Sequence, residues 1–74
     1  MKHELWLEGW KKKGKTVSVE FWGEYEGETF MDAYLNMVKT EFGDPPPDYF
    51  SLDEPQVMGI PFHNSEESAI AAAK

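Results

Sequence analysis

At 74 residues the chain has room for one domain, and a chain this short buries only about 60% of the surface it exposes when unfolded, so its stability is thin. It has no cysteine, which excludes disulfides, thiol nucleophiles and thiolate metal sites, while a hydrophobic share of 41% argues against disorder over most of its length. The net charge is −7 and every cation is a lysine, so the arginine fork that suits phosphates is missing and nucleic acid is a poor match.

No apolar run approaches the ~20 residues needed to cross a bilayer, and no signal-peptide segment opens the chain. The expectation is a cytoplasmic protein without membrane contact, beginning at Met1. The first stretch, "HELWLEGW" (3–10), alternates as a strand does, with Leu5 and Leu7 on one face and Glu4, Trp6, Glu8 and Trp10 on the other. Lys11, Lys12, Lys13 and Lys15 around Gly14 form a basic knot. Lying between two strands, it reads as a solvated hairpin loop rather than a nucleic-acid patch.

In "TVSVEFW" (16–22), Val17, Val19 and Phe21 share one face while Thr16, Ser18, Glu20 and Trp22 take the other. Closing the hairpin with Leu7 opposite Val19 and Leu5 opposite Phe21 makes the two aliphatic faces coincide. A slip of one residue would set leucines against Ser18 and Glu20. The same register puts Trp6 across from Glu20, Glu4 across from Trp22, and Trp10 near Thr16. Three indoles and several carboxylates then occupy the face turned away from the aliphatic core.

Gly23 and Gly27 in "GEYEGETF" (23–30) interrupt the alternation, so the strand bulges or turns, with room for a short third strand near Tyr25. Thr29 is a helix N-cap with Asp32 three residues on, and Phe30, Ala33, Tyr34, Met37 and Val38 recur at helical spacing. Met31, Leu35 and Phe42 widen that apolar arc, and Gly43 ahead of the prolines ends the helix. In "DPPPDYFSLDEP" (44–55) the prolines make a stiff connector from which Tyr49, Phe50 and Leu52 can cover the helix flank. "QVMGIPF" (56–62) reads as a strand that Pro61 restricts to a sheet edge or to its own end. "HNSEESAIAAAK" (63–74) is a short helix capped by Asn64 or Ser65, with Ile70 its only bulky apolar residue.

The expected fold is therefore α+β. An antiparallel sheet of three strands, or four with the one at Tyr25, runs in the order β-β-(β)-α-β-α, and a long helix packs on one sheet face within a single domain, 1–74.

Catalytic patterns are missing. His3 and His63 lack partners at ligand spacing, no Gly-rich phosphate loop follows a strand, and no serine stands in a nucleophile elbow, so no catalytic residue, metal or cofactor is assigned. Trp6, Trp10, Trp22, Glu4, Glu8 and Glu20 are instead the candidate binding residues. Rigid aromatics ringed by carboxylates suit a protein partner with a basic surface, or a second copy of the chain. A carbohydrate stacked on the indoles is a further option. The alternative left open is that the C-terminal helix or the "YFSL" loop folds across the indoles and makes them ordinary core.

The span from "ELWLEGW" through "GEYEGETFMDAY" to "EFGDPPP", about residues 3 to 47, resembles the small domain of HicB-type antitoxins. There a hairpin leads to a Thr-capped helix with an acid–Ala pair, as at Thr29, Asp32 and Ala33, and to a Gly-acid-Pro exit, as at Gly43, Asp44 and Pro45. The resemblance implies an inhibitor-like, partner-binding role. The chain is also similar to short uncharacterised bacterial and phage proteins with an "EG"-aromatic opening strand and a closing segment like "FHNSEESA", a likeness that implies no activity.

Overall fold

The structure, a computed structural model, describes residues 1–9 and 19–72. Its elements are β1 (Lys2–Leu7), β2 (Glu20–Glu26), α1 (Phe30–Phe42), β3 (Gln56–Val57), β4 (Ile60–His63) and α2 (Glu66–Ala72). The sheet has four strands in the order β2-β1-β4-β3, each pair antiparallel. The chain is thus α+β, as expected. Trp10, the lysine knot, Thr16, Val17, Ser18 and Lys74 lie outside the described residues.

Two strand assignments change. Tyr25 belongs to β2 and starts no strand of its own. The segment 56–62 is not one strand but a hairpin, turning at Met58 (φ 53°) and Gly59 (φ 80°). Two consecutive residues with positive φ match the twist of a tight hairpin. A methionine in the place usually held by Asn or Asp hides that turn from inspection. Pro61 consequently sits in an inner strand rather than at an edge. β4 accommodates it because the residue reached from Pro61 is Glu8, one past the end of β1, so the absent N–H falls where the ladder already stops; the Pro61 carbonyl still accepts the Glu8 N–H at 3.1 Å.

The hairpin β1–β2 departs from the regular register. Leu5 pairs with Gly23, but the next residue, Trp6, pairs with Phe21, and Leu7 pairs with Glu20, so Trp22 is an extra residue in β2. This is a β-bulge, and Gly23 at φ 117° supplies the backbone conformation it needs. The expected pairs Leu5–Phe21, Leu7–Val19, Trp6–Glu20 and Glu4–Trp22 are all replaced. Phe21, assigned to the core face, lies beside Trp6 on the other; Trp22, assigned to the outer face, turns inward.

Inward means toward α1, a helix of ordinary length at 13 residues. The Thr29 hydroxyl accepts the Asp32 N–H at 3.1 Å to start it, and the Gly43 N–H bonds the Lys39 carbonyl to end it. Ala33, Tyr34, Met37 and Val38 are buried from one helix face, and the last three meet Leu5, Leu7 and Phe62 of the sheet. Gly27 lets β2 turn directly onto α1, since a Cβ there would lie 2.4 Å from the Ala33 backbone nitrogen.

Trp22 fills the wide end of this core. Its ring stands edge-on to Phe62 at 5.1 Å between centroids, with Phe42 at 6.1 Å and Phe50 at 6.4 Å. Such pairs add about 0.5–1.5 kcal/mol each beyond the area they bury. Phe50 reaches this cluster because the loop after the prolines doubles back and bridges to Val57. Phe50 is buried as expected of a helix-covering residue, whereas Tyr49 and Leu52 stay more than half exposed.

The loop is tied down by Tyr34. Its buried hydroxyl lies 2.7 Å from the Ser51 carbonyl and 2.8 Å from that of Gln56, and its proton bridges them. Tyr34→Phe should cost about 1–2 kcal/mol at neutral pH, because the Ser51 carbonyl loses its donor. Burial also raises the Tyr34 phenol above its ordinary value of 10.0, so the folded state holds this proton more tightly than the unfolded chain. That contribution is whole below about pH 10 and is lost as pH rises through the higher folded value. Urea midpoints measured across the alkaline range should therefore fall more gently for Tyr34→Phe than for wild type; parallel curves would contradict this.

Candidate functional site

Paired residues of an antiparallel ladder send their side chains to the same face. On the face opposite α1, β1 therefore presents Lys2, Glu4 and Trp6, β2 presents Phe21, Glu24 and Glu26, and β4 presents His63. At its centre Trp6 and Phe21 pack at 4.7 Å with their planes tilted by 42°. Trp6 is half-buried and Phe21 is 54% exposed, so this aromatic pair meets solvent.

Acid surrounds it. Glu4 accepts the Trp6 indole N–H at 2.7 Å, which fixes the ring and leaves the carboxylate beside it. Directly opposite Glu4 stands Glu24. The strand parity can be read from the hydrogen bonds. Glu8 donates to Pro61, so the even residues of β1 bond toward β4 and the odd ones toward β2, making Glu4–Glu24 the closer, non-hydrogen-bonded kind of pair. Like charges so placed destabilise a sheet. Lys2 offsets only the far end, opposite Glu26.

The six residues expected to bind a partner are thus dispersed. Trp6 and Glu4 meet on the outer face. Trp22 is part of the core, and Glu20, the partner of Leu7, is exposed at the α1 side of the sheet rim. Trp10 is outside the described residues. Glu8 is occupied by His63, whose Nε2 lies 2.9 Å from a Glu8 carboxylate oxygen while Nδ1 lies 3.2 Å from the Ser68 hydroxyl. Phe21 and Glu24 take the vacated places. The one signal pointing to them was Gly23 immediately after Trp22, a residue pair able to bulge and reverse the parity of Phe21.

The Glu8–His63–Ser68 relay was not visible from spacing, since Glu8 and His63 are 55 residues apart. It has the composition of a hydrolytic triad, yet a serine nucleophile also needs N–H donors converging on the developing oxyanion. Here the Ser68 N–H is spent on the Ser65 hydroxyl and the Ala69 N–H on the Ser65 carbonyl. The hydrogen bonds of the relay tie α2 to the His63 side of the sheet, with Ser65 as its cap. Ala69, fully buried, makes the contact that Ile70, 44% exposed, does not.

Elsewhere a groove of about 160 Å³ runs between α1 and the proline loop, lined by Leu35, Val38, Lys39, Pro46 and Leu52. It is smaller than a typical ligand pocket. Among the described residues no group of three metal-ligating side chains is assembled, and no helix is long and apolar enough to cross a membrane. No family model, curated protein or solved structure matches the chain.

If the relay holds α2, Ser68→Ala should cost about 0.5–1.5 kcal/mol, and its effect should shrink in a His63→Ala background. A double-mutant cycle by urea denaturation measures this. Strictly additive losses would show that His63 and Ser68 do not work together.

Proposed function

We propose that this chain is a non-catalytic acidic protein of the cytoplasm that acts by binding another protein through its outer sheet face. The observation that carries this reading is the solvent-facing Trp6–Phe21 pair held beside the opposed carboxylates of Glu4 and Glu24. Aromatic residues at an interface centre contribute most of its energy, and a ring of one charge sign speeds encounter with the opposite sign. The partner's complement is a basic surface with an apolar recess. An inhibitor- or antitoxin-like role fits that chemistry, as would an origin in a phage or mobile element.

Self-association through the same face is disfavoured by its charge, because two copies would bring carboxylates together around the rings. Stacking of a sugar on Trp6 needs an accessible ring face, and Phe21 already packs against that indole.

The test is retention of host proteins on immobilised wild type and on a Trp6→Ala/Phe21→Ala variant, at low and high salt. A specific partner held by wild type should be lost from the variant and weakened at least about tenfold when salt rises from 50 mM to 0.5 M. Retention indifferent to both changes would defeat the reading. Light scattering over a concentration series should show a monomer, and a dimer abolished by the same double variant would replace it with self-association.

A further inference from the structure

The sheet has two edges of different kinds. β3 has only two residues, and the doubled-back loop covers its outer side: Phe50 bridges to Val57, the Ser51 N–H bonds the Gln56 carbonyl, and the Met58 N–H bonds the Tyr49 carbonyl. β2, with seven residues, has no strand on its outer side among the described residues.

The direction of each backbone group on β2 follows from the ladder. Odd residues of β1 bond toward β2, so their partners Gly23, Tyr25 and Glu20 point inward, as does Gly27, whose N–H reaches the Met1 carbonyl at 2.9 Å. Phe21, Glu24 and Glu26 therefore direct their N–H and C=O groups outward. The Glu26 carbonyl is taken by the Asn36 side chain at 3.3 Å. Both backbone groups of Phe21 and of Glu24, flanking the bulge, are left without a partner among the described residues.

We infer that the β2 edge accepts an extended, lysine- or arginine-bearing strand of a partner protein, paired to the main chain of Phe21 and Glu24. The charge on the strand selects the occupant. β2 carries Glu20, Glu24 and Glu26 and no cation. A second copy pairing edge to edge would oppose carboxylate to carboxylate, which keeps the chain from extending its own sheet. A cationic strand would instead relieve the Glu4–Glu24 repulsion by setting its cations on the outer face, and its alternate apolar residues would fall on the α1 side, beside Tyr25. Main-chain bonds of this kind provide affinity, and alternate side chains provide selectivity. The inference rests on the proposed binding role and names its mode and the chemistry of the partner.

The probe is an end-capped peptide of alternating lysine and valine, compared with the same peptide N-methylated on every backbone nitrogen, which keeps charge and side chains but removes the main-chain donors from both strand edges. Binding of each to the full chain is followed by amide hydrogen exchange and by titration. The unmodified peptide should slow exchange at Phe21 and Glu24 by at least about tenfold, and N-methylation should weaken binding at least about tenfold. Glu24→Pro, which removes an outward N–H that no ladder bond uses, should abolish the protection, with the far-ultraviolet circular dichroism of the variant reporting that the sheet is kept. If that variant fails to fold, Glu24→Lys takes its place and should weaken the unmodified peptide.

Equal binding of the two peptides, unchanged exchange at Phe21 and Glu24, or no binding of either would overturn the edge inference. If the peptides bind equally yet are lost from Trp6→Ala/Phe21→Ala, the face is a binding surface and the edge alone is excluded. If host-protein retention ignores that double variant as well, the binding role itself fails.

Discussion

The structure depends on one irregularity, the bulge at Trp22 and Gly23. A regular hairpin would carry Phe21 into the core and Trp22 out with Trp6. The extra residue reverses this for a single reason of geometry: alternation has period two, so one inserted position exchanges the faces of everything on one side of it. Leu5 is left opposite a glycine, where a Cβ would lie 3.0 Å from the Tyr25 ring, and the neighbouring indole turns in toward Phe62 and Phe50. A small domain without disulfides gains its largest side chain for the core and still keeps an aromatic pair outside.

This division explains why the two sides of the sheet differ so sharply. The α1 side is a continuous apolar cluster closed by aromatic edges, with the Tyr34 hydroxyl as its polar tie to the loop. The other side is thin. α2 docks there through one alanine and the Glu8–His63–Ser68 relay, covering the β4 end and leaving Phe21 in water. Carboxylates that would be neutral to stability on a helix surface are here set against each other across strands. A fold selected for stability alone would place a lysine opposite Glu4, as it does opposite Glu26 with Lys2.

Much of this could be read from residue patterns. Thr29, the spacing of Ala33, Tyr34, Met37 and Val38, and Gly43 mark α1 almost to the residue, because capping and 3.6-residue periodicity are local properties. Leu5 and Leu7 are assigned to the core face for the same reason. What escaped reading was non-local or rule-breaking. Gly23 signals a bulge but not which neighbour becomes the extra residue, and that choice moved Trp22, Phe21 and Glu20 together. Met58 occupies a left-handed turn position that methionine rarely takes, so two strands looked like one. His63 finds Glu8 only once β4 lies beside β1.

The most direct measurement is the set of cross-strand NOEs between β1 and β2. In the bulged register the α-protons of Glu4 and Glu24, and of Trp6 and Phe21, face each other at short range, and the Trp22 ring protons contact Phe62. Short contacts from Glu4 to Trp22 and from Leu5 to Phe21, with Trp22 remote from Phe62, would mean a regular hairpin, and the division of the aromatic residues between core and surface would be wrong.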